Sequence, residues 1–334
     1  MENVLLLDTS VGSLNKGDDI IMKCIKNHLK EITINDYLLT LPTHVTPFQW
    51  YQVLRNSNRV KIYKEAKYKF VGGTNLLTMN MLTHFPQWNI NLLNYQPLKG
   101  SVLLGVGAGK GETMNRYTKI LYKRVLSHEY IHSVRDERTK RFVEEIGLRA
   151  INTGCPTLWA LDKEFCKTIP TGKSRSVIFT LTHHSKDYVK DQLLIDTLLT
   201  NYSKVHFWIQ DKKDLGYLQL FKGIEHIHIV SPTLEAFEET LKEDVDYIGT
   251  RLHGGIFAMR HGKRSIIIGI DERARGMSET YNINMLDRID MEKLEDKINS
   301  RFVTDINIKH KAIDQWLNQF RSITTNKKFE VDVI

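Results

Sequence analysis

Short apolar runs alternate with longer amphipathic segments along this chain. The run NVLLLD at 3–8 precedes GDDIIMKCIKNHL at 17–29, and SVLLGVG at 101–107 precedes RYTKILYKRVL at 116–126. An apolar run of about four to eight residues followed by helical spacing is typical of a buried strand and its crossover helix in a parallel sheet. The pattern therefore predicts an α/β fold.

The alternation is interrupted at 162–175, where DKEFCKTIPTGKSR combines polar composition with a Pro-Thr-Gly-Lys turn. Turn residues and polar composition mark domain boundaries. We therefore predict two doubly wound Rossmann-like domains facing across a cleft, an N-terminal one at 1–165 and a C-terminal one at 173–334. The last helical segment, 306–322, fits either the second domain or a return to the first.

Composition limits the partners and the compartment. The chain has 47 Lys and Arg against 39 Asp and Glu, a net charge of +8, so its field attracts anions. The basic residues are spread along the chain without a nucleic-acid-binding motif, which argues against nucleic acid as a partner. Three cysteines without paired spacing indicate a reducing compartment. With no signal-peptide pattern and no apolar window of about 18 residues, we predict a soluble cytoplasmic protein whose basic surface can contact the inner face of the membrane.

Ligands of open α/β sheets bind beyond the carboxyl ends of the strands, so the loops at those ends are the candidate sites. In the first loop, 9–21, Asp18 or Asp19 is expected to cap the following helix, and Asn15 is a candidate donor and acceptor for a ligand. Neither a Walker loop nor a GxGxxG fingerprint is present.

Two further loops are rich in glycine. Gly73 in VGGTN at 71–75 and Gly107 in LGVGAGKGE at 104–112 let the backbone approach either a ligand or a neighbouring strand. Both interpretations remain open from the sequence.

The loop after YIHSV carries Arg135 before Asp136 and Glu137. Acidic residues favour a helix start, whereas an arginine opposes the helix dipole. Arg135 is therefore expected to pair either with these acids or with an anionic ligand, since its planar fork suits carboxylate and phosphate alike.

The stretch GTRLHGGIFAMRHGK at 249–263 is the strongest candidate. Arg251 is expected at the end of a strand, with a helix starting at about His253 or Gly254. Two cationic side chains beside free helix N–H groups are suited to a bound anion.

Other positively charged and metal-ligating residues were weighed as well. Arg273 and Arg275, in a predicted loop containing Gly276, are candidates to close over the same anion. His226 and His228 lack a third ligand, so we predict no metal site.

Taken together, five motifs resemble the polysaccharide pyruvyl transferase family, in that family's order from residue 9 to about 280. They are NKGDDII at 15–21, VGG at 71–73, GVGAG at 105–109, VRDE at 134–137 and RLHGGIFA at 251–258. The resemblance implies a GT-B-like fold and transfer of pyruvate from phosphoenolpyruvate to a sugar of a cell-surface polysaccharide or its precursor, as a ketal. It further implies a saccharide acceptor, free or lipid-linked, on the N-terminal domain and phosphoenolpyruvate on the C-terminal domain, with no cofactor.

By this resemblance, phosphoenolpyruvate would be held by four residues: Arg135, Arg251, Leu252 and His253. A general acid and a base are needed, and His253 is the leading candidate for the acid or for a phosphate ligand. Asp18 or Asp136 is a candidate base. The alternative is a nucleotide-sugar glycosyltransferase of the same architecture, in which Arg251 and Arg275 would hold a diphosphate.

Overall fold

The computed structural model describes residues 1–83, 87–109, 111 and 113–321, except for the side chain of Arg273. Lys110 and Glu112 of the second glycine-rich loop, and Ser322 at the end of the predicted last helix, lie outside the described residues. None of the described helices is long and apolar enough to cross a membrane.

The elements follow the alternation seen in the sequence. The strands are β1 Asn3–Asp8, β2 Tyr37–Pro42, β3 Tyr68–Gly72, β4 Val102–Leu104, β5 His132–Val134, β6 Ala150–Asn152, β7 Ser176–Thr180, β8 Lys204–Trp208, β9 Ile227–Val230, β10 Val245–Gly249, β11 Ser265–Gly269 and β12 Met285–Asp287. The α-helices are α1 Lys16–Thr33, α2 Trp50–Arg55, α3 Asn58–Lys64, α4 Arg116–Val125, α5 Glu137–Glu145, α6 Lys163–Lys167, α7 Tyr188–Asn201, α8 Asp214–Leu218, α9 Leu234–Thr240, α10 Leu252–Arg260, α11 Glu272–Tyr281, α12 Leu294–Asn299 and α13 His310–Asn318. Short 3₁₀ helices lie at Gln96–Leu98, Ile224–His226 and Arg288–Lys293.

The chain divides into two compact units. Within the described residues, the first contains Met1–Asp8, Ile25–Gly154 and 309–321, and the second contains Thr9–Cys24 and Cys155–Ile308. The chain thus passes to the second unit after Gly154, ahead of the predicted boundary at 166–172. The segment after β1 also belongs to the second unit, which no composition shift in the sequence indicates.

The first unit holds a parallel sheet in the order β2-β1-β3-β4 and a parallel pair β5-β6. Side chains replace part of the backbone ladder between β4 and β5. The Leu103 N–H donates to His132 Nδ1 at 3.2 Å, and the Gly105 N–H donates to Ser133 Oγ at 2.9 Å. A single parallel bridge, Val106 to Val134, completes this seam in the described residues. The resulting order 2-1-3-4-5-6 is that of a doubly wound sheet.

The last helix, α13, packs in the first unit. Its buried residues Ile313, Trp316 and Leu317 recur at the spacing of one helix face. The ring of Trp316 lies 5.8 Å from that of Phe70 in β3. From the sequence, this helix could lie in the second domain or return to the first. The structure shows that it returns to the first unit.

His132 is buried at the seam as a neutral ring. Its Nδ1 accepts from Leu103, and its Nε2 donates to the Ser127 carbonyl at 3.0 Å. A protonated ring would offer two donors and lose the Leu103 bond. Burial lowers the pKa of His132 to about 4.

We expect this histidine to make the protein less stable in acid. A histidine in the unfolded chain titrates near pH 6.5, so between about pH 6.5 and 4 the unfolded state binds the extra proton and the folded state does not. Lowering the pH through that window should remove up to about 3 kcal/mol of unfolding free energy. Urea unfolding of wild type and His132→Gln at both ends of the window measures it. A wild-type loss no larger than that of the variant would contradict this assignment.

The second unit has one parallel sheet in the order β12-β11-β10-β7-β8-β9. Counted from the unit's own first strand, β7, this is the order 3-2-1-4-5-6 of a dinucleotide-binding fold. Every residue of β7, β10 and β11 is buried, as expected for strands covered on both faces. The strand order reverses between β7 and β10, so a ligand site is expected where these two strands end.

Candidate functional site

The ends of β7 and β10 are joined by a network of hydroxyl groups. Tyr247 Oη lies 2.6 Å from Thr180 Oγ1 and donates to the Arg251 carbonyl at 2.8 Å. Thr182 Oγ1 and Thr250 Oγ1 are 2.8 Å apart. These bonds fix the backbone between the end of β10 and the start of α10, which directs the first amides of α10 to the carboxyl edge of the sheet.

Arg251 occupies the N-cap position of α10 and is held by a buried carboxylate. Its Nε lies 3.1 Å from Asp214 Oδ2 and its Nη2 lies 2.6 Å from Asp214 Oδ1. Arg251 is 6% exposed and Asp214 is 0% exposed. Asp214 thus occupies the Nε and Nη2 edge of the guanidinium, and the Nη1 edge is the one that can meet a ligand.

Asp214 also orients His183, which follows β7. The His183 Nδ1 lies 3.0 Å from Asp214 Oδ1 and 3.5 Å from Asp211 Oδ1. Because a carboxylate only accepts, Nδ1 carries the hydrogen, and Nε2 is left to bind or exchange a proton. Burial, followed by the charge of Arg251, lowers the pKa of the adjacent His184.

His183, Asp211 and Asp214 offer ligand atoms within 4.8 Å of one another, which is close enough to hold a cation. The carboxylate of Asp214, however, already accepts from Arg251 and from the backbone N–H groups of His183 and Asp211. A guanidinium against this carboxylate opposes a second cation. The arrangement fits a hydrogen-bonded His–Asp–Arg network better than a metal centre.

His253 is the second residue of α10 and is 9% exposed. Its Nε2 lies 3.8 Å from Cys155 Sγ. The preceding Leu252 packs its side chain into an apolar core cluster with Ile256, so its backbone rather than its side chain is at the sheet edge. The predicted helix start at about His253 or Gly254 is thus one or two residues late.

A loop from the start of the chain lies beside α10. Helix α1 begins at Lys16, and its cap is Asn15, whose Oδ1 accepts from the Gly17 N–H at 2.9 Å. The expected cap by Asp18 or Asp19 is therefore wrong: Asp18 lies inside the first turn and accepts from Ser13 Oγ at 2.6 Å.

Gln210 connects this loop to α10. Its Nε2 donates to Asn15 Oδ1 at 3.1 Å, and because Asn15 Oδ1 is already fixed as an acceptor, the Gln210 Oε1 must point the other way. This oxygen is buried without a hydrogen-bond partner in the described residues. A Cβ on Gly254 would lie 2.9 Å from it, so only glycine keeps this space open. A buried acceptor beside a helix start favours a ligand that donates a hydrogen bond.

Arg135 and the two glycine-rich loops form a separate group in the first unit. Arg135 Nη2 donates to Asn75 Oδ1, and Nε lies 3.5 Å from Asp136 Oδ2. A Cβ on Gly107 would overlap the Arg135 guanidinium, so this glycine makes room for the arginine. Asp136 caps α5 by accepting from the Thr139 N–H at 2.7 Å.

The remaining residues that were predicted to contact a ligand make contacts within the protein instead. A Cβ on Gly73 would overlap the Gly105 carbonyl. Of the two interpretations of this glycine, the structure therefore supports close approach to a neighbouring strand. The predicted loop around Gly276 is instead helix α11, capped by Asp271. There Arg275 pairs with Asp287. The side chain of Arg273 lies outside the described part of the chain.

The second unit therefore brings together Arg251, His253, Gly254 and the Asn15 loop. It adds His183, which the sequence already places at a strand's carboxyl end as a candidate lining residue, and two residues that the sequence did not single out, Asp214 and Gln210. A usable signal existed, because Gln210 and Asp214 follow the apolar run KVHFWI at 204–209, at a strand's carboxyl end.

Comparison with solved structures supports the fold. S. aureus MnaA, solved with UDP, is similar over 95% of this chain and 91% of its own, at 11% identity and a TM-score of 0.50. UDP-GlcNAc 2-epimerase from Neisseria meningitidis, bound to UDP-GlcNAc, covers 95% and 94% at 12% identity and a TM-score of 0.47. E. coli heptosyltransferase WaaC, with ADP-2-deoxy-2-fluoro heptose, covers 85% and 92% at 11% identity and a TM-score of 0.39. The likeness to MnaA confirms the predicted GT-B-like α/β class with Rossmann-like domains.

Sequence comparison identifies the family. No sequence among the curated proteins matches this chain. The family model for polysaccharide pyruvyl transferase matches residues 15–272, which contain the Asn15 loop, Arg135 and the Arg251–Gly254 corner. This match covers more than half of the 334 residues. The chain therefore belongs to the polysaccharide pyruvyl transferase family.

Proposed function

We propose that this protein transfers the pyruvyl group of phosphoenolpyruvate to a saccharide and forms a pyruvate ketal. The observation that carries the proposal is the position of Arg251 and His253. Both lie at the start of α10, beside the point where the strand order of the second unit reverses. Phosphoenolpyruvate has a phosphate and a carboxylate, so its site needs several fixed donors. A helix start, an arginine edge and His253 supply them.

In the proposed mechanism, the first sugar hydroxyl gives its proton to the base and adds to C2 of phosphoenolpyruvate, while C3 gains a proton from the acid and becomes a methyl group. The C2–O bond to phosphate then breaks, and a second hydroxyl of the same sugar closes the ketal and loses its proton to the leaving phosphate. One phosphoenolpyruvate and one diol thus give one ketal and one phosphate. His253 donates the proton to C3, and the α10 amides and the Nη1 edge of Arg251 hold the leaving phosphate.

We assign the base to His183, whose Nδ1–H is held by Asp214 so that Nε2 can accept the hydroxyl proton. The two candidate bases from the sequence, Asp18 and Asp136, accept hydrogen bonds from Ser13 and Thr139. The Gln210 Oε1 then accepts from a saccharide hydroxyl beside Gly254. This role agrees with a buried acceptor that has no partner in the described residues.

The experiment that tests the function combines binding with turnover. Phosphoenolpyruvate should raise the melting temperature of the purified protein, whereas UDP and GDP should not. Incubation with phosphoenolpyruvate and candidate saccharides should release phosphate and raise the acceptor's mass by one pyruvyl group. Stabilisation by a nucleoside diphosphate, with no effect of phosphoenolpyruvate, would instead establish the glycosyltransferase alternative.

Arg135 is proposed as the anion ligand of the first unit, and a lysine tests it. Arg135→Lys keeps the charge but loses the planar fork, so affinity for phosphoenolpyruvate should fall by about 1.5–3 kcal/mol. The KM for phosphoenolpyruvate measures the change, and Arg141→Lys, at an exposed arginine of α5, the helix that follows Arg135, is the matched control. Equal KM values for both variants would leave Arg135 as a partner of Asn75 and Asp136.

A further inference from the structure

Helix α2 of the first unit has no buried residue. Trp50, Tyr51 and Leu54 are exposed by 55%, 45% and 75%. Spacings of three and four residues place Leu54 beside both aromatic side chains on one face of the helix. Large apolar side chains are usually buried, and a cluster of exposed ones marks an interaction site. The outer face of α2 is thus built to contact something other than water.

Helix α3 continues this surface. Its Ile62 is exposed, and together with Arg59 it lines a groove of about 470 Å³. The groove is lined by apolar residues that include Leu41, Phe48 and Val60, and also by the polar Gln52 and Ser57. We call the outer face of α2, the exposed side of α3 and this groove the α2–α3 surface.

The charge of the α2–α3 surface has one sign. Residues 50–64 contain four basic residues and neither Asp nor Glu. All four are exposed: Arg55, Arg59, Lys61 and Lys64. An apolar face among cations fits a negatively charged partner. A second copy of this chain, docked symmetrically through the same surface, would place these cations against each other.

From this chemistry we infer that the α2–α3 surface docks the protein on membranes that carry anionic lipids. Trp and Tyr side chains are favoured at a membrane interface because each has an apolar ring and a polar group. Lys and Arg near an anionic leaflet each add attraction to the lipid headgroups. Apolar insertion by Trp50 and Leu54 together with four cations supplies the two signals that stable peripheral binding needs. This inference does not rest on the proposed function.

Trp50 provides a built-in probe of docking. Of the five tryptophans, Trp50 is exposed, whereas the other four are at most 7% exposed. They are Trp88, Trp159, Trp208 and Trp316. Vesicles of phosphatidylcholine mixed with phosphatidylglycerol should shift the Trp50 emission to shorter wavelength at low salt, and brominated lipids should quench it. Pure phosphatidylcholine vesicles should bind far less, and high salt should release the protein.

Paired variants separate the α2–α3 surface from general basic charge. Lys61→Glu/Lys64→Glu should weaken vesicle co-sedimentation more than tenfold, since each cation adds about 1 kcal/mol and the reversal makes each site repulsive. The matched control is Lys119→Glu/Lys123→Glu, which changes the same charge at exposed positions of α4 and should sediment nearly as wild type.

Leu54→Ser tests the apolar contribution and should also weaken co-sedimentation. Because Leu54 is exposed, the melting temperature should not change; a variant that does not fold would leave the charge-reversal pair to decide. Three results would overturn the inference: no sedimentation of wild type at low salt, equal loss in both charge-reversal pairs, or a dimer that Leu54→Ser dissociates. The last would make this surface a contact between copies of the chain.

Discussion

Replacing His253 with glutamine should slow turnover by about 10²–10⁴-fold, the usual contribution of a general acid. Glutamine retains a hydrogen-bond donor at the start of α10 but cannot transfer a proton to C3 of phosphoenolpyruvate. Binding of phosphoenolpyruvate, which also uses the α10 amides and Arg251, should change much less. Phosphate release under saturating phosphoenolpyruvate measures turnover, and a thermal shift with phosphoenolpyruvate measures binding.

Two further variants make the His253 result specific. His253→Ala should lose affinity as well as turnover, because it removes the donor. Cys155→Ala removes the sulfur 3.8 Å from the His253 Nε2 but leaves the ring, so it controls for disturbance of the surrounding packing. In the pH–rate profile, the limb that requires a protonated histidine should disappear in His253→Gln. A glutamine variant as fast as wild type would return His253 to a structural role.

Arg251→Ala should destabilise the second unit by about 3–5 kcal/mol, because it leaves the fully buried Asp214 carboxylate without its counter-charge. Urea unfolding measures this loss. The double variant Arg251→Ala/Asp214→Ala should regain part of the stability, since it removes both charges. The exposed pair of Arg275 with Asp287 offers a matched control, and Arg275→Ala should lower the free energy of unfolding far less.

This expectation changes how Arg251 variants are interpreted. A loss of activity in Arg251→Ala would have two causes at once, the loss of anion binding and the disturbance of the Asp214–His183 pair. Affinity for phosphoenolpyruvate should therefore be measured on the folded variant, well below its melting temperature. If Arg251→Ala lowered the free energy of unfolding no more than Arg275→Ala, the buried ion pair would not stabilise the second unit as its geometry indicates.

The sequence was most informative where one local pattern determined the outcome. Strand and helix alternation predicted the α/β class, since burial on both faces of a parallel sheet requires continuous apolar runs such as that of β1. The RLHGG motif located the strand end and helix start at 249–254 to within two residues, because glycine and cationic residues have few uses at such a position.

Long-range pairing was not predictable in the same way. Asp214 meets Arg251 across 37 positions of sequence, and nothing local to either residue specifies the other. The same holds for Gln210 and Asn15, which are 195 positions apart. Local signals failed at α11, where Gly276 suggested a loop but Asp271 caps a helix that continues through it. Packing of the following turns outweighs the modest helix propensity cost of one glycine.

From the seam between β4 and β5 we expect part of the first unit to open as a cooperative unit of its own. Where side chains such as His132 and Ser133 replace ladder bonds, opening costs less free energy than it does between β1 and β3, whose ladder is continuous. Strands β5 and β6 should then exchange their amide hydrogens together, ahead of the central strands. Arg135 directly follows β5, so an anion held by this arginine would slow that exchange, and substrate affinity and local order would rise or fall together.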